Sequence, residues 1–203
     1  MFLRSFKRKY EACVPPFEKH PFHMNEQETK AYFDWFQAQV PLRTAYVARI
    51  CASELGVPAE NLDCSPESLR LLWKWFRRRA KTERLPRKER LERRNRSPRE
   101  LWQDQRQLTV ETEYILRDIG MYLGETFCRN HDSIYWTYYT QPKRDFFVNH
   151  PLLKGFVDRS FEKPFAAAFE PVHMAHVQAA KILTGKSRDE DLYNLYLWWA
   201  ERA

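Results

Sequence analysis

Glu170, His173 and His176 follow one another at intervals of three, so a helix running through them would set all three along one side. Glu-x-x-His is a ligand pattern of carboxylate-bridged metal bundles, in which facing helices supply the remaining donors. Pro171 weighs against that chemistry. Proline suits the first turn of a helix, which moves Glu170 to the cap, and the second Glu-x-x-His that such a centre requires is absent. The ordinary alternative is a pair of histidines at a helix start making caps or contacts with acids. No metal and no other cofactor is therefore expected.

A second group is acidic. Glu111, Asp118 and Glu125 are spaced by seven and fall within about 40° of one another on a helical wheel. Carboxylates bordering an apolar face can be held at shifted pKa values and act as acid, base or metal ligand. The simpler expectation is pairing: Glu125 with Arg129, or the whole line with arginines of residues 77 to 96.

The third group is basic. Residues 74 to 99 hold 13 Lys or Arg against three Glu, a local +10 that exceeds the chain's +7 and leaves −3 for the remainder. Arg77, Arg78, Arg79, Lys81, Arg87, Lys88, Arg93 and Arg94 could neutralise phosphates in a salt-sensitive contact with RNA or DNA, with Trp73, Trp75 and Trp102 available for stacking. Against this, Glu89 and Arg93, and Glu92 and Arg96, are interleaved at helix-pair distances, as on a solvated face. The fourth group is aromatic. Tyr135, Trp136, Tyr138 and Phe147, beside Lys143 and Arg144, have the composition enriched at protein interfaces, unless later helices cover them. No Ser-His-Asp order, Walker loop or dinucleotide glycine motif is present.

These groups must be positioned by a helix that begins at Thr109. Ile115, Leu116, Ile119, Tyr122, Leu123 and Phe127 share one face at 100° per residue, with Gly120 and Gly124 beside it. Each glycine costs roughly 1 kcal/mol against alanine inside a helix, so a neighbouring backbone is expected to cross closely there. After Asn130 the apolar period becomes alternating. Residues 134 to 139 and 145 to 149 then read as an antiparallel hairpin turning at Gln141 to Arg144.

Elsewhere the chain reads as helices. Residues 1 to 24 form an extended N-terminal arm. Asn25 caps a helix to about Val40, and Pro41 interrupts it and opens another that ends before Gly56, with Leu42, Ala45, Tyr46 and Arg49 on its core face. Ser65-Pro66-Glu67 opens a helix, and Ser97-Pro98 opens a short one. Phe161 to Phe169 reads as loop then helix, and two further helices follow. The expected fold is mainly α: a single domain over residues 1–203, with seven or eight helices around a central Gly-notched helix, one antiparallel β-hairpin and a basic surface segment at 77–99.

At 203 residues and 43% apolar, the chain can bury a sizeable core. Four cysteines without CxxC spacing, and a start lacking an apolar run of secretory length, suit reduced thiols in a cytosol. No stretch approaches the roughly 18 consecutive apolar residues of a membrane span. The run RDIGMYLGETF, then SIYWTYY and FFVNHPLLKGF, within residues 109 to 156, resembles a group of uncharacterised bacterial proteins in which a YLGE-type helix leads into an aromatic hairpin. That resemblance implies a cytosolic bacterial protein with no assigned reaction, acting by binding another protein as immunity-type proteins do. A non-catalytic protein-binding or regulatory role thus ranks first, an RNA or DNA binder second, and a metal-dependent enzyme using Glu170, His173 and His176 third.

Overall fold

Asn25 starts the longest helix by a reciprocal cap: its side chain accepts from the Glu28 amide while the Glu28 carboxylate accepts from the Asn25 amide. The computed structural model, which describes residues 10–89 and 106–203, carries this helix, α1, unbroken from Glu26 to Leu55. It stops at Gly56, whose φ of 68° is the left-handed conformation that ends helices. Pro41 does not interrupt it. Pro41 and Gln37 both lie on the exposed face, where a carbonyl deprived of its amide partner can turn to water. The buried face is accordingly Phe36, Val40, Arg43, Thr44, Val47 and Cys51, and Leu42 is 62% exposed instead of facing the core.

Helix α2, Ser68–Arg79, buries Leu69, Leu72, Trp73, Trp75 and Phe76. Strands β1 (Thr82–Arg84) and β2 (Arg106–Leu108) pair antiparallel and lead into α3, Val110–Asn130. Ile115, Leu116, Ile119, Tyr122, Leu123 and Phe127 are all buried on α3, as the periodicity requires. Thr109 occupies its N-cap, but the hydroxyl meets Thr112 Oγ1 at 2.9 Å and no backbone amide.

The glycine notch is filled from two sides. A Cβ on Gly120 would lie 2.5 Å from the Val172 Cα, so here α3 meets the backbone of α4 (Pro171–Leu183). A Cβ on Gly124 would lie 2.0 Å from the Trp136 ring. Only glycine admits both neighbours.

The expected hairpin does not form. β3 (Tyr135–Thr137) pairs with β4 (Leu152–Asp158), which pairs in turn with β5 (Phe165–Phe169), giving one three-stranded antiparallel sheet; residues 143 to 149 are turns and a bend. Leu152, Leu153 and Phe156 supply three fully buried apolar side chains where 145 to 149 supply one, Val148, so β4 outcompetes the nearer segment for β3. The helix expected within Phe161 to Phe169 is likewise strand β5. The last helix, α5, spans Asp191–Ala200.

Five α-helices thus lie wholly within the described residues, beside two small antiparallel sheets, against the seven or eight helices and one hairpin expected. The two expected helices of residues 25 to 55 are one, and another is a strand. Residues 1–9, and the short helix expected at Ser97, lie outside the described residues. No described helix is long and apolar enough to cross a membrane.

Candidate functional site

Four of the six histidines gather at the start of α4. Glu170 is its N-cap and accepts a hydrogen bond from the His173 amide, which Pro171 allows because the helix start needs no amide from that position. The sequence spacing of three survives, but the side chains diverge. Glu170 points inward and is 6% exposed. The His173 ring lies against Phe146 and Phe147, with centroids 5.4 and 5.2 Å away. His176 turns to α3, where its Nε2 pairs with Glu113 and its Nδ1 lies 2.7 Å from the Val172 carbonyl. Among the described residues no three His, Cys, Asp or Glu side chains are disposed to hold a metal ion.

Glu170 opens instead into a cavity of about 240 Å³. Tyr32 and Phe36 of α1 and Glu113 and Arg117 of α3 form its walls, with Val172 and His176 of α4. His20 and Pro21 of the N-terminal arm and His150 and Pro151 of the turn segment close the other side. Asn149 joins those last two pieces. Buried and at φ 65°, it donates through Nδ2 to the Pro21 and Met24 carbonyls at 3.0 Å, which sets His150 against His20 with ring centroids 5.3 Å apart.

The groups around the cavity differ in charge state for identifiable reasons. Burial lifts the Glu170 carboxyl to about 7, although the His173 amide and the neighbouring His176 oppose that shift. Burial also depresses His150 to about 4, with His20 and His173 adding to the effect, so its imidazole is neutral at pH 7. The buried His150 Nε2 has no protein partner. Burial works against the cationic form of His176, yet Glu113 and the Val172 carbonyl outweigh it and raise the group. Both of its ring nitrogens face acceptors, the Glu113 carboxylate and the Val172 carbonyl, so His176 is held in place and is not a free base. Arg117 donates from Nη1 to the Cys13 carbonyl at 2.8 Å and makes no ion pair among the described residues. Its guanidinium therefore borders the cavity with no carboxylate at ion-pair distance, although its field reaches the buried Asp118.

Measured against known proteins, the chain matches no family model, no curated protein and no solved structure.

The acidic line is dispersed among partners. Asp118, fully buried, receives Arg43 Nε and Nη2 at 3.1 and 2.6 Å and the Tyr10 hydroxyl. Glu111 meets Arg79 and Lys81, each at 3.3 Å, and Glu125 meets Arg129 at 3.4 Å. The line does not open into the cavity. Glu113 and Arg117, which do line it, are neighbours at i,i+4 on α3, whereas His20 and His150 reach them only through the fold.

The start of the basic segment is not a free surface. Arg79 is 5% exposed and bonded to Glu54 and Glu111, and Arg77 pairs with Asp189. Lys81 pairs with Glu111, and the side chains of Arg78, Arg87 and Lys88 reach the surface. Arg93, Arg94 and Trp102 lie outside the described residues. Trp73 and Trp75 are buried core and offer no stacking face.

The aromatic group splits as well. Trp136 packs into the Gly124 notch and edge-on to Phe36, and Tyr138 leans on Phe33 with centroids 4.8 Å apart. Phe147 is half-buried between His150 and His173. Tyr135, Lys143, Arg144 and the neighbouring Phe146 are exposed.

Proposed function

We propose that this chain binds a small polar molecule in the cavity at the start of α4 and can exchange a proton with it. One observation carries the reading: a buried carboxyl near neutrality, Glu170, shares a cavity with Arg117, a guanidinium that has no carboxylate partner. A purely structural site would place the acid and the base on each other, since an unpaired charge next to a buried carboxyl is costly to maintain. The neutral His150 adds a buried nitrogen without a protein partner. Perturbed titratable groups lining a concavity are the usual marks of a working site.

The test is a titration of the full chain with acetate, benzoate and benzamide, following the ring resonances of His150 and His176 by NMR. The reading expects at least one probe to give a saturable shift at both rings. Unmoved resonances with all three would overturn it.

A second reading, attachment of another protein, is favoured by Tyr135 and Phe146, which are 56% and 64% exposed beside the solvent-facing Lys143 and Arg144. In it Trp136 acts as a support beneath the surface. Tyr135→Ser combined with Phe146→Ser should abolish capture of a partner while leaving the melting temperature nearly unchanged; undiminished capture would count against this surface.

A further inference from the structure

We infer that the ligand of this cavity is a compact monocarboxylate with an apolar body, taken up together with one proton that comes to rest on Glu170. The inference rests on the cavity reading proposed above and names the ligand and the proton that reading leaves open.

Charge selects the class. On the α3 side Arg117 is a cation with no carboxylate at ion-pair distance, whereas His176 on α4 is already paired with Glu113. One anionic group therefore completes the site. A second negative charge would meet Glu113 and Glu170 with no further unmatched cation, which disfavours a dianionic phosphate. From the turn segment His150 presents a neutral ring, and from the arm His20 faces that ring at 5.3 Å. His173, the remaining titratable group on α4 near Glu170, contributes its backbone amide to the carboxyl and turns its ring away toward Phe147.

Shape and polarity select the body. Phe36, Val172 and Pro151 supply apolar lining, and from α1 Tyr32 adds a ring whose phenol burial keeps protonated, within the fields of Arg117 and Glu170. At about 240 Å³ the cavity is below the roughly 300 Å³ at which pockets for drug-sized ligands begin, so the molecule must be small. A single ring or a short branched chain bearing one carboxylate fits both limits.

The proton follows from placing an anion in the same enclosure as Glu170. Two carboxylates sharing one site do not both stay ionised; one takes up a proton and donates it in a hydrogen bond to the other. Glu170 is the group that is already nearly neutral through burial, so the ligand keeps its charge for Arg117 and Glu170 becomes the donor. The balance is one ligand anion and one proton bound, with no bond made or broken.

Benzoate is the probe, measured against full-length protein by calorimetry in buffers of differing ionisation enthalpy. Binding should be accompanied by uptake of close to one proton at pH 8, and its dissociation constant should be about tenfold weaker at pH 8 than at pH 6, as a group titrating near 7 requires. Glu170→Gln, which keeps an acceptor for the His173 amide, should bind equally well at both pH values. Arg117→Gln should lose at least about tenfold in affinity, as expected for a charge-assisted contact, and Arg117→Lys should recover part of it.

Benzoate binding that ignores pH and takes up no proton would overturn the inference while leaving the cavity reading standing. The same holds if benzamide binds as tightly as benzoate with Arg117→Gln without effect, or if phenyl phosphate binds more tightly than benzoate. Failure of benzoate, acetate and benzamide alike would remove both.

Discussion

Asp118 on α3 and Glu170 at the start of α4 are both buried carboxylates, 0% and 6% exposed, but their surroundings are opposite. Asp118 is surrounded. Arg43 holds it through two nitrogens, the Tyr10 hydroxyl donates to it, and Arg43 in turn donates from Nη2 to the Glu11 carbonyl at 2.7 Å. Burial lifts the Asp118 carboxyl, and those contacts oppose the lift. Burial likewise opposes the charge on Arg43, but Asp118 prevails and the guanidinium stays protonated. Glu170 has only backbone amides, those of His173 and Val172, with no side chain paired to it, and it borders an open cavity. A buried charge whose bonding capacity is filled belongs to the fold; one left short of partners beside a cavity is placed for something that arrives.

Removing a partner from the filled site should therefore do the most damage. Asp118→Ala leaves Arg43 buried without an anion and is expected to cost about 3–5 kcal/mol in urea unfolding. A loss under about 1 kcal/mol would place Asp118 in the same category as Glu170 and dissolve the contrast.

The next effect should have the opposite sign. Glu170 titrates near 7 when folded and near 4.5 when unfolded, so its contribution to stability is complete below about 4.5 and is lost as pH rises to about 7. Glu170→Gln should then stabilise the protein at pH 8 by up to about 3 kcal/mol and change little at pH 4.5. His150 runs the other way: its folded value near 4 means that its contribution is complete above about 6.5 and is lost as pH falls toward 4. In the wild type the two trends oppose each other. Glu170→Gln should expose a stability that climbs from pH 4 to 6.5, and His150→Phe one that declines from pH 4.5 to 7, both readable as melting temperature against pH. Parallel curves for the two variants would show that neither group is perturbed as described.

Gly120→Ala links the two regions, because the added methyl meets the Val172 backbone and Val172 lines the cavity. It should cost about 1–3 kcal/mol and also shift the His150 and His176 resonances, a double signature that strain elsewhere on α3 would lack. The smallest change is expected at the surface pair, where Glu125→Ala should alter stability by less than about 0.5 kcal/mol.

How far the sequence foretold this arrangement depends on the range over which each feature is decided. The α3 face and its two glycines are local: a period of 3.6 locates the helix and a pair of missing side chains marks where a neighbour must come close, whereas packing beyond the helix decides that the Val172 backbone and the Trp136 ring are those neighbours. The choice of strand partner is not local. Pro142 and the charged pair after it mark a turn, but the apolar side chains of Leu152 to Phe156 decide which strand lies beside Trp136. Pro41 misleads for a related reason, since whether a proline breaks a helix depends on whether the orphaned carbonyl faces water. At the candidate site, Glu170, His173 and His176 were visible by spacing, and the expected capping role of Glu170 is the one it has. His20, Arg117 and His150 lie 33 or more positions apart along the chain, so no pattern of spacing joins them. Only the packing of the arm, α3 and the turn segment does so.

The contrast between a filled and an unfilled buried carboxylate is tested most directly by titrating the Glu170 side-chain carboxyl in the intact protein, using carbon-detected NMR with Glu170→Gln to assign its signal. A midpoint near 7, well above that of the exposed glutamates, is the predicted result. A midpoint at the ordinary carboxylate value, near 4.5, would contradict the account.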